Sequence, residues 1–237
     1  MASATDHLTV LDVAAPGLVV GAHIVGSVAL NDFVSGVSDL DLVCELAAPP
    51  DPRVLADAQS QDLDVIYVLR GELEKPVHEA RSFAWGREGV LHTERRGDLV
   101  PVLWEQLRAY AITVRGEPPN PPVTPAEVVT YCRENLVEYW KPLLQQVQAR
   151  RSGIGDGAIG RDAILWVAPG PARLWHTINT GAIVGKSQAL HLAGAHWPDL
   201  AAPLGEVAAA RRDPAVLLTR EHAEAALELG RRVLDSA

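Results

Sequence analysis

Thiols are almost absent from this chain of 237 residues, whose two cysteines are Cys44 and Cys132. Neither has a neighbour at zinc-ligand spacing, and two isolated thiols make no disulfide framework. Such usage fits the reducing cytoplasm, where we expect the protein to reside. Lysine is nearly as scarce: Lys75, Lys141 and Lys186 stand beside many arginines. No run of 18 apolar residues occurs, so no membrane-spanning helix and no membrane partner are expected. The opening Met1-Ala2-Ser3-Ala4-Thr5-Asp6-His7 has no basic region followed by a long apolar core, so no signal peptide is expected either. Positive charge is in deficit overall, with a formal net charge of −9. Phosphate contacts need clustered Lys and Arg, which argues against nucleic acid as a partner. The same acidity suits a small cationic one.

What is present is enough apolar residue, 48% of the chain, to bury a core in one large or two modest domains. The punctuation favours two. In Gly116-Glu117-Pro118-Pro119-Asn120-Pro121-Pro122, four prolines in five positions forbid both helix and central strand. We therefore read a first domain over 1–116, a linker over 117–123 and a second domain over 124–237. Residues 1–115 alternate strands and helices, including a helix starting within Asp51 to Ala58 and a Trp- and Arg-rich helical stretch over 78–110. Thr124-Pro125-Ala126-Glu127 is a helix start, with Thr as cap and Pro at the first position. Helices are then expected over roughly 125–150, 172–182, 186–196, 204–211 and 214–235, the first of them kinked at Pro142. The fold class is α+β, a mixed sheet followed by a helical bundle.

The chemistry concentrates in one stretch. Ser38-Asp39-Leu40-Asp41-Leu42-Val43 begins eleven residues after Ser27. On an extended strand, residues two apart point to one face. Asp39 and Asp41 then project together, and Leu40, Leu42, Cys44 and Leu46 fill the opposite face. Adjacent carboxylates repel unless a cation lies between them. Magnesium suits such a pair, because it takes a few carboxylate oxygens and completes its shell with water and phosphate. Upstream, the apolar strand 18–25 ends at Gly26-Ser27, where a glycine lets backbone approach a phosphate and a hydroxyl can bind an anion. Read without function, the same residues are two strands, a turn and a solvated Asp-x-Asp.

A third carboxylate is expected from the strand 61–69. Asp62 and Asp64 share a face there with Ile66 and Val68, so periodicity does not choose between them. Asp64 is flanked by more strand and is the better fixed. Such a group beside a metal could orient an attacking hydroxyl and take its proton.

Gly26-Ser27, Asp39-x-Asp41 and Asp64 together resemble the signature of the DNA polymerase β-like nucleotidyltransferase superfamily. Arg173-Leu174-Trp175-His176-Thr177-Ile178-Asn179-Thr180-Gly181, followed by Gly185-Lys186, is similar to the helical domain of aminoglycoside 3''-adenylyltransferases, the streptomycin/spectinomycin resistance enzymes. Leu103 to Tyr110 running into Val114-Arg115-Gly116 resembles the helix and linker between that family's two domains. The resemblance spans roughly residues 15–235. It implies transfer of AMP from ATP to a hydroxyl of a small molecule, an aminoglycoside, with release of pyrophosphate. It implies Mg2+ held by Asp39, Asp41 and Asp64, with Asp64 as or beside the base. Gly26, Ser27, Arg173 and Lys186 would bind the nucleotide's phosphates. This chain departs from the family in carrying Asp64 where a glutamate is usual, and in lacking Gly or Arg in Val28-Ala29-Leu30-Asn31-Asp32-Phe33.

Other residues are weaker candidates. Trp166 could stack on a base or sugar, although tryptophans in helical domains are mostly packing residues. Glu134 and Glu138, four apart on a helix, could meet a cationic acceptor, although a solvated face explains them equally. Gly155-Asp156-Gly157-Ala158-Ile159-Gly160 matches a dinucleotide fingerprint in letters only, because a polar helical segment precedes it where a strand is required. Two other function classes remain open: a protein-modifying or toxin–antitoxin-type nucleotidyltransferase, and a non-catalytic nucleotide-binding protein. The sequence is silent on oligomeric state.

Overall fold

Alternation of Leu40, Leu42, Cys44 and Leu46 with Asp41, Val43 and Glu45 makes the segment Leu40–Leu46 a strand, β2 of the fold. The structure, a computed structural model, describes residues 3–94, 99–153 and 160–236. It divides into two compact units, Met1–Thr124 and Pro125–Ala237.

The first unit opens with a helix, α1 (Ala4–Ala14), held by a capping box in which Ser3 and Asp6 satisfy each other's backbone N–H groups. Then come β1 (Val19–Ile24), a helical turn α2 (Gly26–Ala29), β2, α3 (Pro52–Ala56), β3 (Leu63–Leu69), β4 (Ser82–Arg87), β5 (Val90–His92), α4 (Pro101–Ala109) and β6 (Ile112–Arg115). The strands lie in the order β5-β4-β3-β2-β1-β6. Only β2 and β3 pair in parallel, joined through α3, and the other pairs are antiparallel, so the sheet is mixed.

The two faces of the sheet are covered differently. Leu42, Cys44 and Leu46 pack with Leu8 and Leu11 of α1 and Leu55 of α3. Val43, Ile66 and Val68 pack with Trp104 and Leu107 of α4. A buried polar chain ties α1 to the sheet. His7 Nδ1 donates to the Ala58 carbonyl at 2.9 Å, so its Nε2 accepts from the Tyr67 hydroxyl, 3.0 Å away. Gln59 donates to the same hydroxyl at 2.9 Å.

The helical stretch expected over 78–110 is largely a hairpin. The helix α4 occupies only Pro101–Ala109, while β4 and β5 meet at a two-residue loop, Glu88-Gly89. Both loop residues have positive φ, 52° and 76°, as the tight loops favoured between right-twisted strands require. The segment expected as a linker after α4 is the edge strand β6, and the proline-rich residues beyond it carry no helix or strand.

In the second unit the expected long helix 125–150 runs without a gap but is irregular near Pro142. Helix α5 (Pro125–Asn135) gives way to a π turn, Leu136–Trp140, and then to α6 (Lys141–Gly153). Pro142 explains this: it has no N–H to donate and its ring would strike the carbonyl four residues back. A widened turn just before it relieves both. Helix α7 (Arg161–Val167) was not expected; it follows Gly160, and Gly155 to Ile159 of the glycine-rich motif lie outside the described residues. Helices α8 (Pro169–Thr180), α9 (Lys186–His196), α10 (Ala201–Ala210) and α11 (Arg220–Ser236) complete the unit around Leu136, Trp140, Ile164, Leu190, Leu204 and Leu229. The last begins six residues later than the sequence suggested, because Asp213, Ala215 and Val216 form turns closed by backbone and Asp213 side-chain bonds.

Among the described residues, no helix is long and apolar enough to cross a membrane. Both thiols are buried, and burial pushes Cys44 up to about 12 and Cys132 up to about 11. Neither is expected to react with iodoacetamide at pH 8 until the chain is unfolded, as mass spectrometry of labelled protein would show. Because the folded state holds these protons more tightly, stability is complete below about pH 8.5, the unfolded thiol value. It declines as pH rises toward the folded values.

Candidate active site

The end of β1 and the start of α2 build the floor of the site. The Val25 N–H donates to the Asp41 carbonyl at 3.0 Å, keeping β1 and β2 joined up to that point. At Gly26 the chain turns with φ +61°, and a Cβ there would collide with the Asp41 carboxylate. Glycine is therefore required twice, for its backbone angle and for the carboxylate's space. The Gly26 N–H is taken by the Gln106 side chain of α4, 2.8 Å away. The expected Gly-Ser turn is thus the first residues of a helical turn pinned from the opposite element. Next to it, the Ser27 hydroxyl oxygen is buried and makes no hydrogen bond. A buried hydroxyl without a partner is costly, and a ligand oxygen reaching it would relieve that cost.

Asp41 and Asp64 are register partners on the parallel strands β2 and β3. With Gly26, Val43, Ile66 and Gln106 they line a cavity of about 130 Å³. Asp62, the other carboxylate in the same phase of the strand, does not line it. Asp39 lies just before β2 and is exposed, outside this cavity. It is still within the electrostatic reach of Asp64. Desolvation raises its carboxyl above the usual range, the charges of Asp64, Asp62 and Glu88 add to the rise, and Arg87 opposes it.

Arg87, at the end of β4, donates from both Nε and a terminal nitrogen to Asp64 Oδ2, at 2.9 and 2.5 Å. Among the described residues, no group of three or more His, Cys, Asp or Glu side chains is arranged to hold a metal. The donor chemistry nevertheless fits a hard divalent cation. Asp41 and Asp64 are two acidic side chains on one rung, and both line one small cavity.

Two residues of the site were not expected from sequence. Gln106 could have been found, since it is a polar residue on the buried stripe of α4 between Leu103 and Leu107. Arg87 left no such signal, because its role depends on a hairpin read as helix.

The remaining candidates lie in the second unit. Lys186 is the first residue of α9, and its ammonium sits 5.2 Å from the centre of the Trp166 ring, a cation–π distance. Trp166 is 48% exposed, and its indole N–H donates to the Tyr139 hydroxyl at 3.2 Å. Arg173, on α8, lies near enough to Cys132 to oppose the rise of its thiol. Glu134 and Glu138 are exposed, on α5 and the π turn.

No protein-family model matches the chain, and no curated protein does. Among solved structures it is similar to the crystal structure of spectinomycin adenyltransferase AAD(9) from Enterococcus faecialis with ATP and spectinomycin. That likeness covers 97% of each chain with a TM-score of 0.68 and 13% sequence identity. The chain therefore shares the α+β fold of that structure.

Proposed function

We propose that this protein is a nucleotidyltransferase that moves AMP from ATP to a hydroxyl of a small cationic acceptor, an aminoglycoside of the spectinomycin/streptomycin type, in the cytoplasm. One observation carries the reading: a glycine turn packed against the carboxylate of Asp41, which shares a rung and a small cavity with Asp64. The ATP and spectinomycin in the similar structure support the choice of donor and acceptor.

In this reading 1–116 is the catalytic domain, 117–123 its linker and 124–237 a helical domain. Asp39, Asp41 and Asp64 would hold Mg2+, which when bound offsets the charge of the triphosphate and acidifies the attacking hydroxyl. Ser27 donates its hydroxyl to a phosphate oxygen, while Gly26 keeps the backbone close to it. Asp64 orients the acceptor hydroxyl and takes its proton. Arg173 and Lys186 bind phosphate charge, Arg by its planar fork and Lys as a point charge. Trp166 offers an aromatic face to a sugar or base, and Glu134 attracts the acceptor's ammonium groups.

The test is incubation with ATP labelled at the α-phosphate, Mg2+ and a panel of aminoglycosides. Pyrophosphate release together with labelled spectinomycin or streptomycin is the expected result. Label on protein instead would favour a protein-modifying enzyme, and nucleotide binding without pyrophosphate would favour a sensor; either would overturn the reading.

A further inference from the structure

The ion pair on Asp64 is unequal. Its carboxylate is nearly buried, 9% exposed, and is fixed by β3 and the rung it shares with Asp41. The Arg87 side chain is 48% exposed and reaches it on a long stem from the last pair of the β4–β5 ladder, Arg87 with Val90. The acceptor is rigid and the donor is free to turn into water. Both N–H groups converge on one oxygen, Oδ2, of a carboxylate that lines the same cavity as Asp41. Magnesium binds carboxylate oxygen at about 2.0–2.1 Å, and a guanidinium and a dication cannot share one oxygen at such distances without strong repulsion.

We propose that Arg87 is a displaceable stand-in for the metal: it holds Asp64 until the divalent cation arrives with the nucleotide, and then yields the carboxylate. This rests on the nucleotidyltransferase reading. The arrangement has two consequences. It compensates the repulsion between Asp39 and Asp64 in the metal-free protein. It also makes metal binding depend on the extra negative charge of the triphosphate, because bare metal must compete with Arg87. A purely structural ion pair would persist in both states and leave metal affinity alone.

The experiment is titration of the full chain with Mn2+, without nucleotide, reading free ion by electron paramagnetic resonance. Arg87→Gln is expected to tighten Mn2+ binding about fivefold, the size expected for removing a competing ion pair with a half-exposed partner. Arg87→Lys keeps the charge but not the fork, and is expected to fall between. The control Arg53→Gln removes an equal charge at the exposed Arg53–Asp51 pair and is expected to change nothing. Circular dichroism checks that each variant is folded. Equal or weaker Mn2+ binding in Arg87→Gln would overturn the proposal, as would the same tightening in Arg53→Gln. If no variant and no wild-type protein binds Mn2+ even with a non-hydrolysable ATP analogue, the nucleotidyltransferase reading falls and this proposal with it. If all bind equally, only the role of Arg87 falls.

Discussion

Asp64→Asn is expected to slow AMP transfer by about 10²–10⁴-fold, the contribution of a positioned base, and to leave the fold in place. Asparagine has the shape of aspartate but neither its charge nor its basicity. Its neighbour Arg87 is half exposed, so the guanidinium left behind can be rehydrated, and the cost in stability is small. Asp41→Asn should be at least as damaging, since Asp41 both faces Asp64 across the rung and fills the space that Gly26 leaves open. The check is initial rate of pyrophosphate release beside a thermal melt. Wild-type turnover in either variant would remove the pair from the chemistry.

Trp104→Ala is expected to cost about 3–5 kcal/mol, the range for deleting a large buried aromatic. That is a large share of the stability of about 5–15 kcal/mol usual for a domain. Trp104 is fully buried against the β2–β3 face, and its indole N–H donates to the Lys75 carbonyl at 3.0 Å. Truncation leaves a cavity and an unpaired carbonyl together. Two residues further along the same helix, Gln106 holds the Gly26 N–H. Loosening α4 should therefore weaken nucleotide binding as well as folding. Urea denaturation followed by circular dichroism measures the first effect and titration with ATP the second. A loss below about 1 kcal/mol would mean that α4 does not brace the site.

The strands of the candidate site were legible because their apolar residues recur on one face. Buried Leu42, Cys44 and Leu46 alternate with Asp41, Val43 and Glu45 along β2, and β3 carries Asp64 in the phase shared with Ile66 and Val68, which face α4. Register was not legible. Nothing in the letters says that Asp41 pairs with Asp64, because pairing is set by the crossover through α3. The hairpin of β4 and β5 was missed for a different reason. Its loop is Glu88-Gly89, and glutamate lacks the tolerance for positive φ that makes Asn-Gly or Asp-Gly recognisable. Without that turn, Trp85 and Arg87 read as helix, and the cation on Asp64 was lost with them. Helix α1 announces itself only through a Ser3–Asp6 box at the chain's start. The helical half was legible in outline from its capping residues, while its joints depended on Pro142 and on turns held by tertiary bonds.

The widened turn at Leu136–Trp140 accommodates one residue more than regular winding would need. Each residue added to or removed from an ordinary helix rotates everything beyond it by about 100°. Here the surplus is absorbed locally, so Leu136 and Leu144 both still face inward, and the Trp140 ring fills the notch left by the missing side chain of Gly170. The extra length is shown outward as Val137 and Tyr139, which lie exposed in the segment that contacts Trp166. A relative one residue shorter at this joint could therefore keep the whole interior unchanged and differ only in that outward surface. Length variation here would be a route by which an unaltered scaffold acquires a different shelf for whatever it meets.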